Sequence, residues 1–199
     1  MLHLCIAKKV AKEMNFSINY IKGSILPDLT KRLEGKDRKM THYITEHTDG
    51  ILEVPNLEKF TYENKLNNEE TLGIYSHLIE DKIYFENFVS NYIEVINEDK
   101  IRFKYDNKIR NFEGYQKIFY SDFLRLNYYL IKHYNLNIEK LKNDLLEITQ
   151  DNNLKQYIEE SIKEYDFEAY QPIVFDEKEA DRYVEMCYQK VVEEMKNKV

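Results

Sequence analysis

Tryptophan is absent from this chain, and only five glycines and three prolines interrupt its 199 residues, so it is poorly supplied with the turn residues that an all-β fold consumes. Its abundant Glu, Lys, Leu and Ile favour long helices instead. Cysteine is scarce too. Cys5 and Cys187 stand alone, without the paired spacing of a zinc ribbon or a redox dithiol, and two thiols make no disulfide framework; two buried thiols in a reducing compartment are expected. No uninterrupted apolar run approaches about 18 residues, so no membrane-spanning helix is expected. The stretch MLHLCIAKKVAKEM carries its lysines after its apolar residues and lacks a small-residue cleavage site, so it does not read as a signal peptide and the expected location is cytoplasmic. Positive charge is not in excess either. The net charge is −7, and the basic residues are scattered among acids, leaving no surface to follow the backbone of duplex nucleic acid.

What is present points to one all-α domain over residues 1–199. The stretch from Glu69 to Tyr92 reads as one long helix, because Leu72, Tyr75, Leu78, Ile79, Ile83, Phe88, Val89 and Tyr92 recur at three- and four-residue steps without a proline. His77 and Asp81, four residues apart, share a face of that helix and could reach one metal ion. Alone, such a pair is more often a surface ion pair. Gly73, one turn earlier, leaves room for a second helix or a ligand shell to approach closely.

Around this helix the remaining elements are read in order. Leu2 to Met14 forms a first helix with His3 on the same side as Ala7 and Ala11. Ser17 caps a short second helix ending near Gly23, and Pro27 breaks the next segment, placing Asp28 in a loop or turn. KRLEGKDRK, residues 31–39, reads as an exposed basic loop. His42 and His47, five residues apart, would point about 140° apart on a helix, so only one of them suits a shared ion. Asn67 and Asn68 are cap candidates for the central helix. Ile101, Phe103 and Tyr105 alternate with charged residues, giving a short strand or hairpin near 99–107. Helical spacing resumes from Gly114 to Leu136, where Asp122 interrupts an aromatic run. There it is either turned to solvent or committed to a cation. His133 sits where it favours the negative end of that helix. Helices then follow Asn135 or Asn137, Asp151 and Asp176, the last an amphipathic packing element.

Taken together, His3, Asp28, His42 and the pair His77 and Asp81, carried by HLCIAKKV, GSILPDLT, KMTHYI and LGIYSHLIEDKIYF, make an ordered set within residues 1–92. This set resembles that of the zinc-dependent phospholipase C family, whose fold is shared by fungal single-strand nucleases. The likeness is to small bacterial members of unassigned substrate. It implies an all-α fold of that type in which Asp28, His42, His77 and Asp81 form one zinc site, with Asp81 bridging toward a second ion held partly by His3. It implies one or two zinc ions, another divalent metal being chemically admissible. Such ions would polarise a phosphoryl group and activate water, making a phosphodiester or phosphomonoester hydrolase acting on a small phosphorylated substrate or a phospholipid headgroup. Beyond the central helix the family carries a further His, His and Glu set, where this chain has only His133 and in no recognisable motif, so a third ion is not expected and Asp122 is the candidate replacement ligand or catalytic base. The rival reading is a helical scaffold or binding module that keeps the fold, with or without a structural metal, and has no turnover. A helical phosphohydrolase of the His-Asp type is disfavoured because no adjacent His-Asp dipeptide occurs.

Overall fold

The computed structural model describes residues 1–33, 37–44, 53–97, 100–162 and 173–198. His47 and the greater part of the segment DFEAYQPIVF lie outside the described residues. Helices dominate, with one small antiparallel sheet. In order they are α1 (Leu2–Met14), α2 (Ile18–Leu33), α3 (Arg38–Thr41), α4 (Leu57–Glu63), α5 (Glu69–Ile83), a π-helical stretch (Tyr84–Val89) and α6 (Ser90–Tyr92). Strands β1 (Ile93–Asn97), β2 (Lys100–Phe103) and β3 (Ile109–Asn111) precede α7 (Phe112–His133), α8 (Ile138–Ile148), α9 (Asn152–Ser161) and α10 (Glu177–Lys196). No described helix is long and apolar enough to cross a membrane.

The expected central rod from Glu69 to Tyr92 is present, built as α5, the π-helical stretch and α6. Asn68 starts it by accepting the backbone N–H of Thr71, and Glu69 and Glu70 lie in the first turn, where they favour the positive helix end. The wider π turns shift the phase of the rod. Beyond Ile83, Phe85, Phe88 and Val89 are buried, and Phe85 and Val89 join a second, smaller core with Val54, Ile93, Ile101, Phe103 and Phe119 beneath the sheet. The sheet is a three-stranded meander, β1 to β2 to β3, that begins at Ile93, earlier than the expected hairpin.

Helix α2 departs from expectation. It runs unbroken through Pro27, so Asp28 stands on a helix and not in a loop. An interior proline costs about 3 kcal/mol in propensity, because it lacks the N–H for the carbonyl four residues back and crowds it. Packing outweighs that cost. Gly23 of α2 and Gly73 of α5 bring the two backbones into contact: a Cβ on Gly73 would lie 2.1 Å from the Tyr20 carbonyl oxygen, and one on Gly23 2.0 Å from that of Glu70. The space left beside Gly73 is therefore taken by a second helix. Helix α1 buries Leu4, Cys5, Ile6, Ala7, Val10 and Ala11 in the main core. Fully burying each Leu, Ile or Val side chain contributes about 1.5–3 kcal/mol, which is what holds α1 and its His3 against the central rod. Cys5 and Cys187 are both buried free thiols, as expected. The basic stretch at 31–39 is not all loop, since Asp37 caps the short α3 by accepting from the Lys39 N–H.

Candidate metal centre

Helix α5 presents Gly73, Ser76, His77, Glu80 and Asp81 along one buried stripe, with α1, α2 and α3 arranged around it. Onto this stripe α1 brings His3, α2 brings Asp28, and the end of α3 brings His42. All five residues expected to hold metal therefore meet in one place.

The geometry is one that could hold a metal ion. His77 Nε2 lies 3.2 Å from His42 Nε2. His42 Nε2 is 3.3 Å from Asp28 Oδ1 and 3.7 Å from Asp81 Oδ2, and His77 Nε2 is 3.8 Å from the same Asp81 oxygen. Zinc bonds of about 2.0–2.2 Å at tetrahedral angles put neighbouring donor atoms about 3.3–3.6 Å apart, near these separations. The ligand atoms of Asp28, His42 and His77 lie within 4.8 Å of one another, as do those of His3, His77 and Asp81. On the other side of the carboxylate, Asp81 Oδ1 is 3.6 Å from His3 Nε2. The His3 ring stacks on that of His77 with centroids 4.0 Å apart. An imidazole nitrogen has a single lone pair, so His77 serves one ion only, and a second ion on Asp81 and His3 would need further ligands from outside this set.

Each histidine is held by its outer nitrogen. The Ser24 carbonyl can only accept, so His77 Nδ1, at 2.8 Å, donates to it and Nε2 keeps its lone pair. His3 Nδ1 donates to Glu80 Oε2 at 2.6 Å, while Glu80 Oε1 accepts from the Ser76 hydroxyl at 2.8 Å. His42 Nδ1 lies 2.8 Å from the Thr41 hydroxyl, which is also 3.3 Å from the Arg38 carbonyl, and this contact turns Nε2 toward Asp28. Three imidazoles thus direct Nε2 inward, the arrangement in which outer-sphere acceptors orient metal-binding histidines.

The electrostatics agree. Burial, then the charge of His3, push His77 down to about 3 against the pull of Asp81 and Asp28, so its imidazole is neutral near pH 7. Burial works against ionised Asp81, but Arg38 and the three histidines hold it below the usual carboxylate range. Asp28 is likewise opposed by burial yet kept well below that range by the hydrogen bond from His42 and the neighbouring imidazoles. Burial would lower His3, but the hydrogen bond to Glu80 and the charges of Glu80, Asp81 and Asp28 raise it. His42 and His77 are fully buried, whereas the Asp28 side chain is 49% exposed and marks the open side of the set.

Arg38, Glu53 and Glu80 belong to this centre and were not anticipated from the sequence. Arg38 Nη2 meets Asp81 Oδ2 at 2.6 Å, Nη1 lies 3.6 Å from Asp28 Oδ1, and Nε meets Glu53 Oε2 at 2.8 Å. Glu80 was detectable in principle: it extends the stripe of small and polar residues at helical spacing through Gly73, Ser76 and His77. Arg38 and Glu53 carried no signal, being charged residues in polar stretches.

Asp122 is not part of the set. It is fully buried, and so not turned to solvent, and its partners described next lie outside the candidate centre. Its carboxylate accepts the backbone N–H groups of Ile173, Val174 and Phe175 at 2.8, 2.7 and 3.0 Å, with Arg125 Nη1 at 3.6 Å. Three amides satisfy its lone pairs, so its observed work is to tie the chain before α10 to α7. His133 lies in the last turn of α7, stacked on Tyr129 and 3.7 Å from Asp181, consistent with the terminal position expected.

Comparison with protein-family models, with curated proteins and with solved structures finds no match for this chain.

Proposed function

We propose that this protein is a metal-dependent phosphoric ester hydrolase of the zinc-dependent phospholipase C and single-strand nuclease type. The single observation that carries the metal reading is the set of three histidines whose Nδ1 atoms are each held by an outer partner while their Nε2 atoms face Asp28 and Asp81. The order of these residues along the chain supports the family. Zinc suits this mixed nitrogen and oxygen set, with one or two ions and another borderline divalent metal as the alternative. When bound, such ions polarise a phosphoryl group and bring the pKa of water toward neutrality. The chain's own residues then have defined work. His42, His77 and Asp28 hold one position, Asp81 spans toward His3, and Ser24, Thr41 and Glu80 fix the three rings. Exposed Asp28 leaves a side open for a small phosphorylated compound or a phospholipid headgroup. Tyr120, half exposed on α7 and within electrostatic reach of Arg38, Asp28, Glu53 and Asp81, stands at this margin.

One observation favours the rival reading of a scaffold without turnover: Arg38 already neutralises Asp81 and Asp28, as in a site closed by protein groups. Hydrolysis assays separate the two. With zinc supplied, wild-type protein is expected to cleave a chromogenic phosphodiester or phosphomonoester, and His77→Ala and Asp81→Asn are expected to lose that activity. Stoichiometric zinc with no cleavage of either ester class would favour the scaffold.

A further inference from the structure

The position of Arg38 raises a question that the ligand set alone does not answer. Its side chain is 18% exposed, and its guanidinium reaches three carboxylates from three parts of the chain: Asp81 on α5, Asp28 on α2 and Glu53 before α4. The closest contact, 2.6 Å, is to Asp81 Oδ2, the oxygen that also faces His42 and His77. A more distant contact is to Asp28 Oδ1, the oxygen 3.3 Å from His42 Nε2. Arg38 therefore sits on the oxygen atoms that complete the ligand set, while His3, on the opposite side of Asp81, takes Oδ1.

We infer that Arg38 is the internal counter-ion of the metal-free centre, holding the oxygens of Asp81 and Asp28 that a cation takes, so that it competes with the metal for them. This rests on the metal reading above. Without a cation, two carboxylates packed among imidazoles repel one another and are costly to desolvate, and a guanidinium whose nitrogens each face a different carboxylate is suited to that charge. With a cation among His42, His77, Asp28 and Asp81, a guanidinium still bonded to Asp81 lies within about 5 Å of it, well inside the screening length of about 8 Å. The two positive charges disfavour each other. Nε of Arg38 is anchored separately on Glu53, so the side chain can yield Asp81 while staying beside the site. Arg38 thus has opposite effects on the two states: it stabilises the metal-free protein and weakens metal affinity.

Arg38→Gln tests this with readouts other than activity. The metal-free variant is expected to melt about 5 °C below metal-free wild type, since it loses the charge partner of buried carboxylates. Its zinc affinity, measured by competition with a chromophoric chelator, is expected to be about tenfold higher or more, the scale of one charge-assisted hydrogen bond. Should Arg38→Gln fail to fold, Arg38→Lys serves: one ammonium cannot bridge as the guanidinium fork does, so zinc affinity should again rise, by less. Wild type that binds zinc beside a variant of equal or weaker affinity would overturn the role given to Arg38 and leave the metal reading standing. No zinc bound by wild type or variant would overturn both.

Discussion

Asp81 and Asp122 are both aspartates placed on helices and buried, and they are stabilised in opposite ways. Asp122 is hydrogen-bonded by three backbone N–H groups, donors that carry no formal charge and do not titrate, with the Arg125 guanidinium farther off at 3.6 Å. Asp81 is held by a guanidinium at 2.6 Å and faces the Nε2 atoms of three imidazoles 3.6–3.8 Å away, side chains that carry or exchange protons. The first arrangement fixes a chain segment; the second gathers charged and titratable side chains around one carboxylate. A buried carboxylate is therefore no sign of function by itself, and the chemistry of its partners is what separates a structural anchor from a candidate centre.

Substitutions should separate the two aspartates, and the largest stability effect is expected at the structural one. Asp122→Ala leaves three amides unpaired and should cost about 3 kcal/mol or more, measured by denaturant unfolding, with zinc stoichiometry unchanged in whatever fraction folds. A metal-depleted but stable Asp122 variant would reverse the assignment. Gly73→Ala should follow, at about 1–3 kcal/mol, because its Cβ would meet the Tyr20 carbonyl oxygen at 2.1 Å and force α2 from α5. Since α2 carries Asp28 and the Ser24 carbonyl, zinc affinity should fall in the same variant; full affinity would mean that the centre does not depend on this helix contact.

Acid should act on the Asp81 side of the comparison. His77 is depressed from 6.5 to about 3 by burial, so in the metal-free protein its unfolded form takes up a proton that the folded form refuses. Its contribution is fully present above pH 6.5 and is lost as pH falls toward 3. His3 works the other way: its raised pKa adds stability below 6.5 that is lost as pH rises through the folded value. Metal-free His77→Gln is therefore expected to lose less stability than wild type between pH 6.5 and 4 in urea titrations, and parallel curves would contradict the assignment. The smallest effect is expected at His133→Ala, whose half-exposed ring and 3.7 Å contact to Asp181 should be worth about 0.5 kcal/mol or less.

How far the sequence revealed this arrangement follows from the range of the forces involved. The central rod, its Asn68 cap, and the helices begun by Asn137, Asp151 and Asp176 follow from local periodicity and capping, and they stand where expected. Spacing alone paired only His77 with Asp81; His3, Asp28 and His42 joined them through the resemblance of the ordered set to a known family. Pro27 misled because its cost is local, whereas the contact of Gly23 with the Gly73 segment that offsets it spans about 50 residues. The same limit hid Arg38 and Glu53, whose importance comes only from the carboxylates that folding places beside them. Asp122 was recognised as anomalous, but its partners are backbone atoms near residue 174, and a pattern of side chains carries no trace of them.

The central claim is that His3, Asp28, His42, His77 and Asp81 form a metal centre, and metal content tests it most directly. Protein purified without chelator, and again after zinc reconstitution, should be measured by inductively coupled plasma mass spectrometry beside His77→Ala and Asp122→Asn. One or two equivalents of zinc or a similar ion in wild type and in Asp122→Asn, absent from His77→Ala, is the predicted result. Equal metal in His77→Ala and wild type, or none in wild type after reconstitution, would contradict it.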